Sequence, residues 1–325
     1  MTRLDADADV HTEGAVECDG PRRVVLDSRE VPLGGLRGMQ VMRALPQREL
    51  PMIGAWCFLD RFGPQETLMR VEPHPHIGLQ TVTWPLVGEV RHRDGVGSDV
   101  LIARGQLNLM TSGAGIAHSE YSLGDDPIPL DALQLWVALP ESRRHGAAAF
   151  EQHTDLPHLS LPAEAGDAAS ATVVLGEFAG VHSPATTYTP IVGAEIVVPA
   201  GGRVRVPLRR DWEYALVPVE GAPVVEDGDP LGVMQLLYLG RGRDGAVIDA
   251  GPDGAVVFLL GGEPFEDEIV MWWNFVAREH EEIEAAREAW EAGDERFAPV
   301  VGHGPERVPA PPLPGVRLTR RRRRL

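Results

Sequence analysis

The sequence predicts an all-β chain in which two β-barrels follow one another and a helix closes the C-terminal end. Three observations lead there. Runs of β-branched, aromatic and aliphatic residues with strand periodicity recur along most of the chain, 36 glycines and 28 prolines supply turns between them, and a helical apolar period follows the last run. At 325 residues the chain can build two domains with cores of their own. Its 43% hydrophobic and 24% charged content is that of a soluble globular protein.

Taken in order, residues 1–21 are acidic and aperiodic, and disorder is expected there. Residues 22–140 form the first barrel. Within them Leu79-Gln80-Thr81-Val82-Thr83-Trp84 alternates as a strand does, and so does the segment from Gly105 to Thr111. The chain then breaks at Gly113-Ala114-Gly115 before Ile116-Ala117-His118, which reads as strand, glycine turn, strand. Residues 141–170 read as a linker with one short helix or strand; His153 and His158 lie there without an i, i+2 or i, i+4 partner and are taken as solvated. Residues 171–292 form the second barrel, with runs such as Ile196-Val197-Val198 and Tyr214-Ala215-Leu216-Val217. The apolar stretch from Ile269 to Ala277 reads as a buried strand packed in the core, and residues 278–292 as a helix with Ile283, Ala286 and Trp290 on its inner face. Residues 293–325 are a Pro- and Arg-rich tail ending in Arg320-Arg321-Arg322-Arg323-Arg324-Leu325. Disorder with electrostatic folding back on the acidic body is expected of it, docking to an acidic partner or nucleic acid being the other reading.

The chemistry lies in two short pairs, His74-Pro75-His76 and His118-Ser119-Glu120. Each places two metal-ligand side chains at i, i+2, and on a strand that spacing puts both on one face. Pro75 argues against a helix. If the strands face each other inside a barrel, three imidazoles and one carboxylate converge on a single divalent cation. Such a donor set suits Fe(II), Mn, Ni, Cu or Zn: four ligands close a tetrahedral zinc site, whereas an octahedral ion keeps two positions open. Ser119, between two inward ligands, should point away from the metal, and His92, after the turn at Gly88-Glu89, either supports the site from behind the ligands or is exposed, exposure being the preferred reading. The second barrel has no His-x-His or His-x-Glu and is expected to bind no metal.

The blocks His74-Pro75-His76-Ile77-Gly78, Gly88-Glu89-Val90-Arg91-His92-Arg93-Asp94, Met110 to Glu120, Leu133-Gln134-Leu135-Trp136-Val137 and Gly180-Val181-His182-Ser183-Pro184 resemble, in this order, the pirin family of the cupin superfamily. The resemblance covers roughly residues 22–292. It implies a bicupin, that is, two double-stranded β-helix (jelly-roll) barrels, with one iron-type site in the first, held by His74, His76, His118 and Glu120. It also brings a second reading of residues 269–277: bicupins return a C-terminal strand to the first barrel, which would put Trp272, Trp273 or Phe275 near the pocket. Two departures stand out. Gln80 occupies a position where pirins commonly carry Glu, which bears on pocket polarity and not on the ligands. Gly113-Ala114-Gly115 replaces a Gly-Arg-Gly, removing a cation from near the site.

Similarity to pirin-type quercetinases implies a metal-dependent dioxygenase of quercetin-like flavonols. Fe(II) is then the expected ion, Glu120 the candidate for taking the flavonol hydroxyl proton, and Phe58, Gln134 and Trp136 candidate pocket residues. The rival is a regulatory protein that senses redox state through its iron and acts on a protein partner; a zinc site that only staples the barrel is the third reading. A net charge of −18 disfavours direct binding to nucleic acid or anionic membranes. No apolar run reaches the length of a membrane span, the N-terminus lacks the order of a signal peptide, and a cytoplasmic location is expected. Cys18 and Cys57 are read as free thiols. Lysine is absent, so every cationic side chain apart from histidine is arginine.

Overall fold

The computed structural model describes residues 20–33, 39–321 and 323–325. Cys18 and nearly all of the N-terminal segment expected to be disordered lie outside the described residues. Two antiparallel barrels follow one another, each a large sheet packed on a small one. In the first, the large sheet runs across Ala149–His153, Leu107–Thr111, Leu79–Val87, Ile128–Ala138, Trp56–Thr67, Met39–Leu45 and Arg29–Leu33. The small sheet runs across Arg70–His76, Ile116–Ser122, Val90–Asp94 and Asp99–Ile102.

In the second barrel the large sheet is built on Glu213–Glu220, Ala255–Gly262 and Ile191–Val198, and the small one includes Arg203–Pro207 and Gly245–Asp249. Its interior is filled with aliphatic and aromatic side chains, among them Val173, Ile196, Leu216, Ile248 and Leu259. No helix among the described residues is long and apolar enough to cross a membrane.

The two large sheets stack on each other, which is why their central strands are apolar on both faces. On Ile128–Ala138, Leu133 and Leu135 join a core shared with Phe258 and Tyr238 of the second barrel, while Gln134 and Trp136 point into the first barrel. Trp56 anchors the joint by donating its indole N–H to the carbonyls of Val192 at 3.0 Å and Gly261 at 3.2 Å. A Cβ at Gly193 would stand 2.9 Å from that indole, so the close approach needs glycine. Trp84 and Arg104 both reach Glu195 across the same joint.

Sequence reasoning misplaced three segments. Residues 141–170, read as a linker, carry the strands Ala149–His153, His158–Leu161 and Ala163–Ala165, which complete sheets of both barrels. Pro21–Leu26 lies in the second barrel, paired with Leu236–Gly240 more than two hundred residues away. The stretch from Ile269 to Ala277 is a hairpin, Val270–Trp272 with Phe275–Ala277, whose Phe275 bridges to Ile77 of the first barrel. That is the C-terminal return to the first barrel rather than a core strand of the second.

The helix His280–Ala292 buries Ile283, Ala286 and Trp290. A capping box of Glu279 and Glu282 starts it and a left-handed Gly293 ends it. The arginine-rich tail, expected to be disordered, is laid along the body. Arg317 pairs with Glu281 and Arg320 with Glu279, and Arg323 reaches the fully buried Glu213 at 2.7 Å.

Candidate metal centre

Arg70–His76 and Ile116–Ser122 pair antiparallel with His118 opposite His74, and strand alternation turns His74, His76 and His118 toward one another. The three rings are buried, with centroids 4.3 to 5.1 Å apart. Their ligand atoms lie within 4.8 Å of one another. Those of His92, His118 and Glu120 form a second such group, so two triads share His118. An irregularity between His118 and Glu120 shifts the register to the first strand, so that Glu120 lies opposite Val71 there and opposite His92 on the other side.

The hydrogen bonds aim nitrogen lone pairs inward. His74 Nδ1 lies 2.9 Å from the Glu72 carbonyl and His76 Nδ1 3.1 Å from the Asn274 carbonyl; a carbonyl only accepts, so both rings carry the proton on Nδ1. His76 Nε2 and His118 Nε2 then face each other at 3.1 Å. Two lone pairs at that distance repel unless a cation or a proton lies between them. Burial pushes His74 down to about 4 and holds His76 and His118 well below the usual imidazole range, so the rings are neutral: a His118 proton on Nε2 would bridge to His76, and one on Nδ1 leaves both Nε2 atoms free for a cation. This chemistry fits a divalent metal ion.

Burial pushes the Glu120 carboxyl above the ordinary carboxylate range, opposed by nearby His92 and by a hydrogen bond from Thr83 Oγ1 at 3.4 Å. Thr83 Oγ1 also lies 3.1 Å from the Gln134 side-chain amide. A hydroxyl has one proton to give. The nearer acceptor is Oε1 of Gln134, so that one proton is shared between Gln134 and Glu120. Phe58 and Trp136 stack with centroids 4.0 Å apart, and the Trp136 ring meets His76 edge to face at 5.2 Å. The expected pocket residues thus share one wall of the barrel with the histidines.

His92, taken as exposed from the sequence, is buried and stacks on Phe150 of the supposed linker. The overlooked signal was His92-Arg93-Asp94, an i, i+2 pair like the other two. Asn274, also overlooked, acts through its backbone carbonyl, which any residue supplies; the left-handed Trp273, with φ 53°, precedes it in the hairpin turn. Gln80 faces away from the site, donating to Thr111 at 2.9 Å and to the Thr186 carbonyl at 3.1 Å, so its departure from the family pattern concerns the barrel joint.

Ser119 points outward, 2.6 Å from His303 Nε2, and His303 Nδ1 is 3.7 Å from Glu72. The geometry resembles a hydrolytic triad. Ser119 is only 1% exposed, however, so no substrate reaches it, and the contact instead clamps the C-terminal segment onto the ligand strands. His153 pairs with Glu151 and His158 with Thr172, both outside the candidate cluster.

Two stacked antiparallel barrels with His-x-His and His-x-Glu on neighbouring strands of the first define a bicupin whose first barrel carries a group that could hold a metal ion. The chain belongs to the pirin family: the Pirin model matches residues 38–137 and the Pirin C-terminal cupin domain model matches residues 193–298. A Pseudomonas aeruginosa protein provisionally named quercetin 2,3-dioxygenase is 45% identical over 88% of this chain and 89% of its own length. A pirin-like protein of Caulobacter vibrioides is 32% identical over 89% of this chain and 99% of its own. The crystal structure of a quercetin 2,3-dioxygenase from Acinetobacter baumannii superposes with a TM-score of 0.84 at 38% identity, covering 91% of this chain and 98% of that one.

Proposed function

We propose that the protein is a dioxygenase of quercetin-type flavonols, with one divalent metal ion, Fe(II), held by His74, His76, His118 and Glu120. The observation that carries this reading is that inward-facing imidazoles abut a stacked aromatic wall, His76 lying edge-on to Trp136 at 5.2 Å. A flat polyphenol can lie along Phe58 and Trp136 and bring its oxygens to the donor cluster. Relatives that bear the quercetin dioxygenase name support the substrate class.

Bound there, the metal supplies Lewis-acid polarisation of a substrate oxygen. Glu120 accepts the flavonol hydroxyl proton. Thr83, itself held by Gln134, orients the carboxylate. The buried surroundings keep water from the reacting atoms.

The test is oxygen uptake with quercetin on anaerobically Fe(II)-loaded protein, with loss of the substrate's visible absorbance. Glu120→Gln should abolish turnover even where metal is retained, since an amide oxygen can still coordinate but takes up no proton. No oxygen uptake with any of several flavonols, together with a partner affinity that differs between Fe(II) and Fe(III) protein, would replace this reading with the redox-sensing one.

A further inference from the structure

His118 has a partner that the metal reading leaves unused. Its Nε2 faces His76, so its Nδ1 looks the other way, and there it meets Nδ1 of His92 at 3.4 Å. The far nitrogen of His92, Nε2, lies 3.1 Å from Oδ2 of Asp94. Asp94 is wholly buried and pinned: its other oxygen accepts the backbone N–H groups of Val96 at 3.0 Å and Ser98 at 2.9 Å. Stacking on Phe150, with centroids 4.5 Å apart, holds the His92 ring in place. Register builds the line, because Val90–Asp94 pairs with Ile116–Ser122 with Asp94 opposite His118 and His92 opposite Glu120.

A carboxylate only accepts, so His92 carries its proton on Nε2 and keeps a lone pair on Nδ1. That lone pair is what an N–H at Nδ1 of His118 needs, and a proton there leaves His118 Nε2 free for metal. We propose that Asp94 and His92 form a relay that fixes His118 in its metal-binding tautomer, Asp94 setting His92 and His92 setting His118. The proposal rests on the metal reading of the site and gives both residues a positioning role. It also separates His118 from the other two histidine ligands. His74 and His76 lean on backbone carbonyls, which are acceptors whatever surrounds them. His118 leans on a ring that accepts only while Asp94 holds its proton on the far side.

Asp94→Asn is the informative substitution, being nearly isosteric. An amide has one acceptor oxygen. If Val96 and Ser98 keep it, the NH2 group faces His92 Nε2 and can only donate. His92 must then move its proton to Nδ1 and present a donor to His118, which drives the His118 proton onto the nitrogen that binds metal.

With Ni(II) as probe in competition against a chelator, Asp94→Asn should bind roughly 10–100-fold more weakly than wild type. His92→Phe keeps the stack on Phe150 without an acceptor and should lose as much, whereas His92→Gln, whose amide oxygen can accept from His118, should recover part of the affinity. A readout independent of metal is the ¹⁵N NMR spectrum of histidine-labelled apoprotein: His118 should carry its proton on Nδ1 in wild type and on Nε2 in Asp94→Asn. The relay is overturned if Asp94→Asn and His92→Phe both hold Ni(II) with wild-type affinity, or if His118 keeps its Nδ1 proton in Asp94→Asn. Wild-type protein that takes up no Ni(II) would instead overturn the metal reading, and the NMR comparison would then decide the relay by itself.

Discussion

Replacing His76 with alanine should remove most of the stabilisation that a divalent metal confers on this fold. His76 Nε2 faces His118 Nε2 at 3.1 Å, its ring is aimed by the Asn274 carbonyl, and burial keeps protons from competing at neutral pH. A metal that binds only the folded state stabilises it by about 2.7 kcal/mol when its free concentration is 100 times Kd. Losing the outer hydrogen-bond partner of a ligand costs roughly 10–100-fold in affinity, and losing the ligand itself costs no less. For a 100-fold loss, the same free metal equals the variant's Kd and the stabilisation falls to about 0.4 kcal/mol. Stability without metal also changes, because the substitution deletes a buried ring and one of two opposed lone pairs, so the quantity to read is the difference with and without metal. Urea unfolding at a fixed free Ni(II) concentration measures it. His153→Ala, which removes a ring paired with Glu151 at 3.0 Å outside the cluster, is the control and should keep the full shift. A wild-type metal shift in His76→Ala would refute the reasoning.

Two further outcomes are expected. Asn274→Ala should retain metal, since the contact to His76 is made by the backbone carbonyl; loss of metal in chelator competition would mean that the side chain matters to the site. Cys57 is fully buried and burial pushes its thiol up to about 12, so it should stay unlabelled by iodoacetamide at pH 8, as read by peptide mass spectrometry, until the protein unfolds. The sign of the linked stability follows: the unfolded chain loses this proton near 9 and the folded one near 12, so the thiol's contribution is complete below 9 and is lost as pH rises toward 12.

Strand periodicity made much of this protein legible in its sequence. The i, i+2 spacing of His74 with His76 and of His118 with Glu120 forecast strands that share a donor face; the structure makes them hydrogen-bonded neighbours in one sheet, with His118 opposite His74, rather than strands facing across the barrel. The helix was legible because Ile283, Ala286 and Trp290 carry a period that only a helix buries. What escaped has physical reasons. Pairing of Pro21–Leu26 with Leu236–Gly240 is a backbone contact across most of the chain, and neither strand carries a local mark of its partner. The strand Ala149–His153 has an intermediate burial pattern at a sheet edge, and its alternation is correspondingly weak. The bond from His76 to Asn274 uses main chain, which has no residue code. His92 was a misjudgement of a legible signal, since His92-Arg93-Asp94 has the spacing that made the other pairs conspicuous. The electrostatic folding back of the arginine-rich tail was legible, but not its particular partners, Glu279 for Arg320 and Glu213 for Arg323.

The most direct test of the central claim is crystallographic. Diffraction from metal-loaded crystals, collected on both sides of the metal's absorption edge, locates the ion without reference to activity. One anomalous peak is expected in the first barrel, about 2 Å from the Nε2 atoms of His74, His76 and His118 and from one oxygen of Glu120. A peak coordinated by His92 in place of His74 or His76, or one inside the second barrel, would contradict it.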